Sequence, residues 1–503
     1  MSRGHEIELK LEVDEGGGGL LRDHPLLSGQ QATPARQVST YFDTDEGTLR
    51  KAGFSLRVRQ AGDRYVQTIK QNGQTSAGLF DRPEWEQRVD GCEVDFAAAE
   101  ETPLGDILTG KVRKRLAPVI RSDVRRTVWN IMKGGSQVEL ILDEGTITGG
   151  SNSERVNEIE LELKTGDAAS LLDVARELAG QIPLRLGVLS KAERGYALAD
   201  GASGKVAKAE RIALHEEMTA ADGFAAIASA CLRHFRLNEP LVAARQDPAA
   251  LHQARVAMRR LRSGFTLFRP VIADAEYERL REEVRWFTDQ LGDARNLDVL
   301  LKRLPARAKR GSPGAALRQR LEGARSEAYA RVLQTLDSKR LRRLMLDLVA
   351  WIETGAWRSE NPAAAQSLPE FAVRRLDKRW RQVKQAGRRL AELDAEPRHR
   401  LRIEVKKLRY AVEFLSSLQT ADEAADQKAF LAALEEMQER LGELNDVETA
   451  HELLARLVGR GKTAEAMLRH ADRALASNDT EAEQVDAAEK AYRQLRAIGP
   501  FWR

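Results

Sequence analysis

Charged and apolar side chains alternate along six short segments within the first 200 residues, and this alternation restricts the fold more than any other feature of the chain. In the first segment, Glu6, Glu8 and Lys10 are separated by single apolar residues. A period of two is typical of β-strands, whose successive side chains point to opposite faces. Turns that contain glycine or aspartate separate the segments, which predicts an antiparallel meander or barrel. The segments are Glu6–Val13, Phe54–Gln60, Tyr65–Lys70, Glu84–Val89, Val138–Asp143 and Glu158–Lys164.

The charged faces of these strands have to be balanced. A sheet with one solvated face would account for any single strand, but it accounts poorly for six strands in which acids and bases sort by strand. A closed barrel with a charged interior fits better, and such an interior needs metal ions or a polyanion to balance its side chains. Clustered carboxylates without histidine or cysteine suit hard cations such as Mg²⁺ or Mn²⁺. Arginine and lysine side chains facing them suit phosphate oxygens.

The strand motifs resemble those of a known family. The segment from Glu6 to Lys10 matches the ExExK signature of the CYTH superfamily, the triphosphate tunnel metalloenzymes. Further matches follow in the family's order at Tyr41-Phe42-Asp43-Thr44, Leu56-Arg57-Val58-Arg59, Thr68-Ile69-Lys70, Arg82 to Glu86, Arg126 to Trp129, Glu139 to Asp143, Glu158 to Lys164 and Ser190 to Tyr196. The resemblance covers roughly residues 4–200 and implies an eight-stranded antiparallel tunnel that binds a triphosphate together with a divalent metal ion.

Carried over position by position, the resemblance implies a role for each charged residue of the tunnel. The residues that would hold Mg²⁺ or Mn²⁺, or orient its waters, are Glu6, Glu8, Glu160 and Glu162. The phosphate-binding candidates are Arg57, Arg59, Lys70, Arg82, Arg126 and Lys164. Glu139 and Asp143 are candidates for metal binding or for positioning the attacking water, and the expected catalytic set is Lys10, Glu139, Asp143 and Lys191. Arg125 lies beside Arg126 on the opposite strand face, so the strand register decides which of the two points inward.

The sequence pattern changes after about residue 200. Residues 168–180 have helical spacing and end at a glycine, and residues 201–210 are a predicted linker. From about residue 211 the pattern is helical almost everywhere. Breaks that contain proline or glycine are predicted near 238–240, 311–314, 361–369 and 395–397. The tract Gly16–Gly19 lacks the spacing of a phosphate-binding loop and has no helical signature after it, so it is predicted to be a flexible turn.

The helical half contains an internal repeat. His252 begins a basic motif that returns with the same spacing at His399. A Leu-Gly motif follows each copy, and its two versions are Leu291-Gly292-Asp293-Ala294-Arg295-Asn296 and Leu441-Gly442-Glu443-Leu444-Asn445-Asp446. Because basic residues recur at i+3, i+7 and i+10, those of each copy share one face of a helix. A solvated helix face would explain one copy, but it explains poorly two copies with the same spacing. The helical half is therefore predicted to be two copies of one bundle.

This half resembles the CHAD domain, the conserved-histidine α-helical domain. The resemblance implies two pseudo-symmetric four-helix bundles around a basic groove that binds inorganic polyphosphate. The groove candidates are His252, Arg255, Arg259, Arg260, Arg262, His399, Arg402, Lys406, Lys407 and Arg409. Asn296 and Asp446, which follow the Leu-Gly motifs, would equally serve as polar contacts between helices. The expected α+β multidomain chain consists of a CYTH domain at 1–200, a linker at 201–210 and a CHAD domain at 211–503, with repeats at about 211–360 and 368–503.

The order of the two regions resembles that of the bacterial CYTH–CHAD inorganic triphosphatases. This resemblance implies a cytoplasmic enzyme that hydrolyses inorganic tripolyphosphate to pyrophosphate and phosphate. The helical domain would bind inorganic polyphosphate and bring the enzyme to polyphosphate granules. No nucleophilic Ser, Cys or His motif is present, which predicts direct attack by water assisted by the metal ion. Two distant cysteines, Cys92 and Cys231, provide no disulfide framework, and no apolar run is long enough to predict a membrane partner.

Other functions stay open on the sequence alone. The same tunnel would also suit thiamine triphosphate or, as in a class IV-type adenylyl cyclase, a nucleoside triphosphate, but no motif offers base stacking. A non-catalytic polyphosphate-binding protein is a further alternative, although pure anion binding gains nothing from carboxylates. Nucleic acid is not expected as a partner because the chain has only 5% aromatic residues and no recognised nucleic-acid motif, despite its net charge of +4.

Overall fold

The computed structural model describes residues 2–305, 309–418, 424–459, 461–475 and 480–502. The chain divides into two compact units, which we call the barrel unit and the helical unit. The barrel unit comprises residues 1–207 together with 337–354, and the helical unit comprises residues 208–336 and 355–503.

The barrel unit is built on a closed antiparallel sheet. Its strands are β1 (Ser2–Val13), β2 (Thr33–Asp43), β3 (Phe54–Ala61), β4 (Arg64–Gln71), β5 (Gln74–Ser76), β6 (Leu79–Val89), β7 (Ala117–Lys133), β8 (Ser136–Gly149), β9 (Asn152–Thr165) and β10 (Leu184–Leu186). Eight of them form the barrel in the order β1-β9-β8-β7-β2-β3-β4-β6, and β6 pairs with β1 to close it. The short strands β10 and β5 extend the sheet beside β1 and β6. The predicted eight-stranded antiparallel barrel is confirmed.

The barrel unit packs apolar side chains against the outside of the barrel wall. Its helices are α1 (Gly17–Arg22), α2 (Thr48–Lys51), α3 (Phe96–Glu100), α4 (Gly110–Arg115), α5 (Ala169–Ala179) and α6 (Lys191–Ala199). Leu56 and Ile69 on the strands pack in one cluster with Leu104. Ile120 and Leu198 belong to a second cluster together with Tyr41, and Ile120 packs against Gly195 of α6. Because the outward side chains are apolar and covered, the alternating charged side chains have to face the interior.

The glycine tract near the N-terminus does not form the flexible turn that was predicted. Helix α1 begins at Gly17, after Gly16 adopts a φ of 91°. Gly17 and Gly18 are buried, and a Cβ at Gly17 would lie only 2.8 Å from Cβ of Val13. The tract therefore consists of glycine because the helix packs directly on the barrel, and close packing of this kind leaves no signature in hydrophobic periodicity.

One helix from the C-terminal half of the sequence belongs to the barrel unit. Helix α12 (Lys339–Thr354) packs against α5 and reaches β10. The carboxylate of Asp347, which is buried, accepts a hydrogen bond of 3.2 Å from Nε of Arg176 on α5. On β10, Arg185 lies 3.4 Å from Asp337.

The helical unit and α12 contain all the remaining helices of the described residues. They are α7 (Ala220–Arg245), α8 (Pro248–Ile272), α9 (Tyr277–Gln290), α10 (Gly292–Arg303), α11 (Pro313–Leu336), α12 (Lys339–Thr354), α13 (Trp357–Glu360), α14 (Leu368–Ala386), α15 (Ala395–Phe414), α16 (Ala424–Val458), α17 (Lys462–Leu475) and α18 (Glu481–Ile498). Within the described ranges, we find no helix whose length and apolar character would let it span a membrane.

The break predicted near 238–240 is wrong, because α7 continues through Pro240. A proline inside a helix removes one backbone hydrogen bond and normally bends or ends the helix. Here the surrounding residues are buried, including Asn238 and Val242, and the side chain of Asn238 donates to the carbonyl of His234 at 2.8 Å. Tertiary packing therefore outweighs the local cost of the proline.

The two helices that carry the repeated motif, α8 and α15, pack against each other. An aromatic cluster supports α8 from its buried side, where Phe268 lies 4.6 Å from Phe371 between ring centroids and 5.7 Å from Phe224. Except for Arg260, which is buried, the basic residues of the motif lie on other faces of α8 and α15, where they are only partly buried.

Candidate active site and anion-binding face

The interior of the barrel is a cavity of about 340 Å³ lined by charged side chains from most of its strands. The predicted tunnel residues that line it are Glu6, Glu8, Lys10, Arg57, Arg59, Lys70, Arg82, Arg126, Glu139, Glu160, Glu162, Lys164 and Lys191. Asp143 lies just behind this surface and is fully buried. The structure thus brings the whole predicted set together in one place.

Strand register explains why these residues meet. Glu8 of β1 lies opposite Glu162 of β9, and Lys10 lies opposite Glu160. On the other side of β1, Glu6 lies opposite Arg82 of β6. Directly opposed residues in a sheet point to the same face, so each charged side chain that enters the interior has charged neighbours on the adjoining strands.

At one part of the tunnel, a group of carboxylates surrounds the ammonium group of Lys191. Nζ of Lys191 lies 2.7 Å from Asp143 and 3.0 Å from Glu160, and it also contacts Glu158. Lys191 is the first residue of α6, and a capping box between Ser190 and the N3 residue fixes the start of that helix. Burial alone would lower the pKa of Lys191, but the three carboxylates raise it well above its ordinary value.

Lys10 and Arg126 complete this group. Lys10 contacts Glu160 and lies 3.0 Å from Glu8, and Arg126 donates to Glu160 at 2.6 Å. Burial alone would raise the pKa of Glu160, but Lys10, Lys191 and Arg126 hold the pKa well below its ordinary value. Glu160 is therefore a carboxylate anion at neutral pH.

The side chains of Arg125 and Arg126 point to opposite sides of β7. Arg126 enters the tunnel, where its side chain is 14% exposed, whereas Arg125 is 62% exposed and pairs with Glu144 outside the barrel. The register question is thereby answered in favour of Arg126. This adjacent pair also provides a matched inside and outside arginine for experiments.

The wall formed by β3, β4 and β6 carries most of the phosphate-binding candidates. Lys70 lies 2.6 Å from Glu6 and 3.2 Å from Glu84, and Arg82 lies 3.0 Å from Glu6. Burial alone would raise the pKa of Glu6, but Lys70 and Arg82 hold it below its ordinary value. These cations are neutralised by Glu6 of the adjoining strand β1 and by Glu84 of β6.

Arg57 differs from the other cations of the tunnel. Among the described residues, we find no carboxylate within ion-pair distance of it, and its hydrogen-bond partner is Tyr41, the residue directly opposite on β2. Its Nε is buried and without a hydrogen-bond acceptor in the described part of the chain. Burial alone would lower the pKa of Arg57, but Tyr41 and Glu84 raise it, so the side chain stays charged. Arg57 is therefore a buried cation whose charge the described residues do not neutralise by an ion pair, and a bound anion would neutralise it.

The carboxylates fit the hard divalent cation that the resemblance implies. Glu6, Glu8, Glu160 and Glu162 line the cavity and offer only oxygen atoms, which Mg²⁺ and Mn²⁺ prefer. One oxygen each from Asp143, Glu158 and Glu160 lies within 4.8 Å of the others, but Lys191 already contacts all three of these carboxylates. Glu160 belongs to both groups, which makes it the carboxylate most strongly tied to the site.

In the helical unit, the predicted anion-binding residues of the first repeat form a half-buried basic face. Arg255 on α8 donates to the side-chain oxygen of Asn296 at 3.1 Å and to the carbonyl of Gly292 at 3.4 Å. Burial, followed by Arg295, Arg259 and Arg255, lowers the pKa of His252 to about 4. Asn296 is thus a contact between helices, one of the two roles expected for it, while the side chain of Asp446 lies outside the described residues.

The second repeat keeps the same arrangement at its Leu-Gly motif. Arg402 lies over Gly442 so closely that a Cβ there would be 3.0 Å from its Nη2, and in the first repeat Arg255 lies over Gly292. The glycine of each motif therefore gives the arginine of the basic motif room to lie against the neighbouring helix. His399 and Lys406 are partly buried on the same helix, α15.

Arg260 does not share the basic face of α8. It is buried, it forms an ion pair with Glu413, and its guanidinium lies 4.8 Å from the ring centroid of Phe414. These contacts join α8 to α15 and leave little of the side chain for a ligand. The position follows from helical periodicity, because Arg260 is next to Arg259 in sequence but about 100° away around the helix. Lys407, its counterpart, pairs with Glu404 at 2.7 Å.

Several residues of these sites were not among the predicted site residues. Tyr41 lines the tunnel and binds Arg57, Glu158 contacts Lys191, and Arg194 contacts Glu158. Arg295 on α10 joins the basic face of the first repeat. Tyr41, Glu158 and Arg194 stand inside the quoted CYTH motifs and Arg295 stands inside the Leu-Gly motif, so the motif, more than the charge pattern, was the signal for them.

Comparison with known proteins agrees with this division. Residues 4–196 match the CYTH domain and residues 226–455 match the CHAD domain. The class defined by the barrel and its charged interior is thus that of the CYTH domain proteins. More particularly, the chain carries a CYTH domain followed by a CHAD domain.

Two relatives illustrate the match to each part. An inorganic triphosphatase of Haemophilus influenzae is 31% identical over 203 residues, which is 38% of this chain and 54% of the relative, so the chain spans about half the length of this relative. The crystal structure of the CHAD domain from the plant Ricinus communis is 30% identical and covers 58% of this chain and 97% of that one, with a TM-score of 0.52.

Proposed function

We propose that this protein is a metal-dependent inorganic triphosphatase that hydrolyses tripolyphosphate to pyrophosphate and phosphate. The observation that carries the proposal is that cations and carboxylates line the same closed cavity in almost equal measure. A site for an anion alone gains nothing from buried carboxylates, which would repel the ligand. A site for a phosphate chain together with a divalent cation needs both kinds of side chain.

In each buried ion pair of the tunnel, the cation would bind the triphosphate and the carboxylate would bind the metal ion. Without substrate, Lys70 and Arg82 are paired with Glu6. A triphosphate would take over the cations through charge-assisted hydrogen bonds, and the freed carboxylates would then face the metal ion. Because burial makes unpaired charges very unfavourable, neither ligand should bind well without the other.

Tripolyphosphate suits the cavity better than a nucleotide or thiamine triphosphate does. Among the described residues that line the cavity, Tyr41 is the one aromatic side chain, and its hydroxyl is engaged with Arg57. Stacking on an aromatic face is the usual means of holding a base or a thiamine ring. A cavity whose described lining is otherwise charged, small or aliphatic therefore favours a substrate made only of phosphoryl groups.

The proposed roles of the residues follow from their positions. Arg57, Arg59, Lys70, Arg82, Arg126 and Lys164 would bind and orient the phosphate oxygens, and Lys10 and Lys191 would stabilise charge that develops during hydrolysis. Glu6, Glu8, Glu160 and Glu162 would hold the metal ion, and Glu139 and Asp143 would hold or orient water. When bound, Mg²⁺ or Mn²⁺ would polarise the phosphoryl group and make the attacking water more acidic.

The test is phosphate release from tripolyphosphate in the presence of Mg²⁺, by wild type and by Glu160→Gln. ATP, thiamine triphosphate and long-chain polyphosphate are run as competing substrates under the same conditions. We expect release from tripolyphosphate above all, and its loss in the variant. Faster release from ATP or thiamine triphosphate would show that the enzyme prefers one of those substrates to tripolyphosphate.

We further propose that the basic face of the helical unit binds inorganic polyphosphate and that the protein associates with polyphosphate granules. Half-buried arginines with few carboxylates nearby, such as Arg255 and Arg259, support the first part of this proposal. Fluorescence anisotropy with labelled polyphosphate tests binding, and microscopy of the labelled full-length protein tests granule association. Tight polyphosphate binding without turnover of any triphosphate would mean a non-catalytic polyphosphate-binding protein.

A further inference from the structure

The two repeats of the helical unit carry the same basic motif in different electrostatic surroundings. In the first repeat, the motif on α8 faces the start of α10, where Arg295 adds a further cation. Burial, followed by Arg259 and Arg295, lowers the pKa of Arg255 to about 10. The Nε atoms of Arg255 and Arg259 are both buried without a hydrogen-bond acceptor within the described ranges, whereas in the second repeat this holds for Nε of Arg402 but not for Lys406. This face is therefore a concentration of positive charge that the protein itself compensates incompletely.

The carboxylates nearest to this face are shared with other arginines, and Asp289, which acts on Arg255, also lies 3.8 Å from Nε of Arg285. Asp298 accepts a hydrogen bond of 2.6 Å from Arg325 and another of 2.7 Å from the hydroxyl of Tyr329. Asp293 lies 3.3 Å from Arg456 and 3.5 Å from Arg331. Their negative charge is shared with other arginines, so it neutralises the face only in part.

In the second repeat, basic residues of the motif have carboxylate partners on α15 and α16, and one of these, Glu413, is shared with Arg260. Arg409 lies 2.9 Å from Glu413 and 3.4 Å from Glu435, and its Nε donates to Gln438 at 3.0 Å. Glu404, one residue before the buried Val405, binds Lys407 at 2.7 Å and lies 3.7 Å from Arg379. At Lys407 and Arg409, the basic motif thus has carboxylate partners on its own helix, whereas α8 contains no Asp or Glu residue.

The two repeats differ in carboxylate residues at matching positions of the sequence. Aligned on His252 and His399, Glu404 corresponds to Ala257, and Glu413 corresponds to Thr266. The helix that follows also differs, because the first repeat breaks at Leu291 between α9 and α10, whereas α16 runs without a break through Gly442. The break starts α10 beside the basic face, close to Arg255.

We propose that the two repeats are unequal in function, and that the principal site for an oligophosphate chain is the face formed by His252, Arg255, Arg259 and Arg295 of the first repeat. The second repeat is neutralised from within and adds little affinity. This inference rests on the proposed polyphosphate binding and adds to it where the anion is held. Arg295, whose place in the second repeat is taken by Asn445, becomes a binding residue of this chain.

The experiment compares matched double variants of the full-length protein. Arg255→Gln with Arg259→Gln disables the first face, and Arg402→Gln with Lys406→Gln makes the equivalent change in the second. The dissociation constant for labelled inorganic polyphosphate is measured for both and for wild type by fluorescence anisotropy. Because the tunnel is unchanged in all three proteins, it contributes equally to each measurement. We expect the first pair to weaken binding more than about tenfold, as loss of charge-assisted hydrogen bonds implies, and the second pair less than about threefold.

A second comparison uses an exposed position and so avoids any loss of folding. Thr266→Glu gives α8 the carboxylate that Glu413 provides on α15, one turn after Arg262, and Thr266→Gln is its neutral control. Thr266→Glu should weaken binding several-fold, and Thr266→Gln should leave it unchanged. Equal weakening by the two double variants, or no difference between the two Thr266 variants, would overturn the inequality of the repeats. Absence of polyphosphate binding by wild type would overturn the proposed binding function itself, and this inference with it.

Discussion

Arg126 holds Asp143 by two hydrogen bonds, from Nε to Oδ1 at 2.8 Å and from Nη2 to Oδ2 at 2.6 Å. Asp143 has no exposed surface, so the guanidinium and Lys191 together supply its compensation. Burial alone would raise the pKa of Asp143, but Lys191 and Arg126 lower it. Asp143 therefore stays ionised because Lys191 and Arg126 lie beside it, which makes the site sensitive to the loss of either cation.

Replacing Arg126 with glutamine should therefore reduce both activity and stability. It leaves Asp143 and Glu160 short of a partner in the interior, a change that typically costs about 3–5 kcal/mol. Arg125→Gln removes an exposed ion pair with Glu144, worth about 0–1 kcal/mol. Chemical unfolding and phosphate release from tripolyphosphate are measured for both variants. Equal effects of the two substitutions would contradict the inward placement of Arg126.

Tyr41→Phe should impair the tunnel through Arg57 while leaving the fold intact. The phenol is the hydrogen-bond partner of Arg57, and without it the guanidinium is free to leave the position in which it would meet a phosphate. We expect kcat/KM for tripolyphosphate to fall about tenfold, the value of one hydrogen bond to a charged group. Tyr65→Phe, at a tyrosine outside the tunnel, serves as the control. An unchanged kcat/KM in Tyr41→Phe would mean that Arg57 needs no support from it.

The barrel was predictable because its strands carry charged side chains on the face that is buried in the interior, which is unusual for a strand. In six of its eight strands, acids and bases alternate with apolar residues, and only a closed sheet buries both faces of so many strands. The remaining two, β2 and β7, show no such clean alternation and were indicated by family motifs alone. In β2 the residue that points inward beside Arg57 is Tyr41, whose aromatic ring reads as core in any hydrophobicity pattern.

The features that escaped prediction depend on contacts between distant residues. The helix at Gly17 exists because it packs on Val13, and Pro240 is tolerated because the helix around it is buried. Arg260 sits among cations in the sequence, and only the packing of α8 on α15 turns it towards Glu413. None of these outcomes depends only on residues within one helical turn of each other. The local pattern of apolar residues therefore does not predict them.

The place of α12 predicts the behaviour of a truncated chain. Residues 1–207 alone would lack the helix that packs against α5 and buries Asp347 beside Arg176. Each apolar side chain that becomes exposed costs about 1.5–3 kcal/mol, so this fragment should aggregate or melt well below the same fragment joined by a flexible linker to residues 337–354. Thermal melting and size-exclusion chromatography of the two proteins provide the comparison. Equal melting temperatures would show that α12 contributes nothing to the barrel unit.

His252 should make the protein sensitive to mild acid. Its pKa is about 4 in the folded chain, whereas an unperturbed histidine titrates at 6.5. Between these values the unfolded chain binds a proton that the folded chain does not, so the free energy of unfolding should decrease as the pH falls from 6.5 towards 4. Because the side chain is only half-buried, solvent screening limits the effect to about 1 kcal/mol.

Urea unfolding of wild type at pH 7 and pH 5 measures this loss, and His252→Gln should reduce it, whereas His215→Gln, at an exposed position, should not. Polyphosphate should act in the opposite sense, because a bound anion favours the protonated imidazole and raises its pKa. Binding near pH 5 should therefore take up a proton, which calorimetry in buffers of different ionisation enthalpy detects. Proton release on binding, or uptake that persists in His252→Gln, would contradict a role of His252 at the anion-binding face.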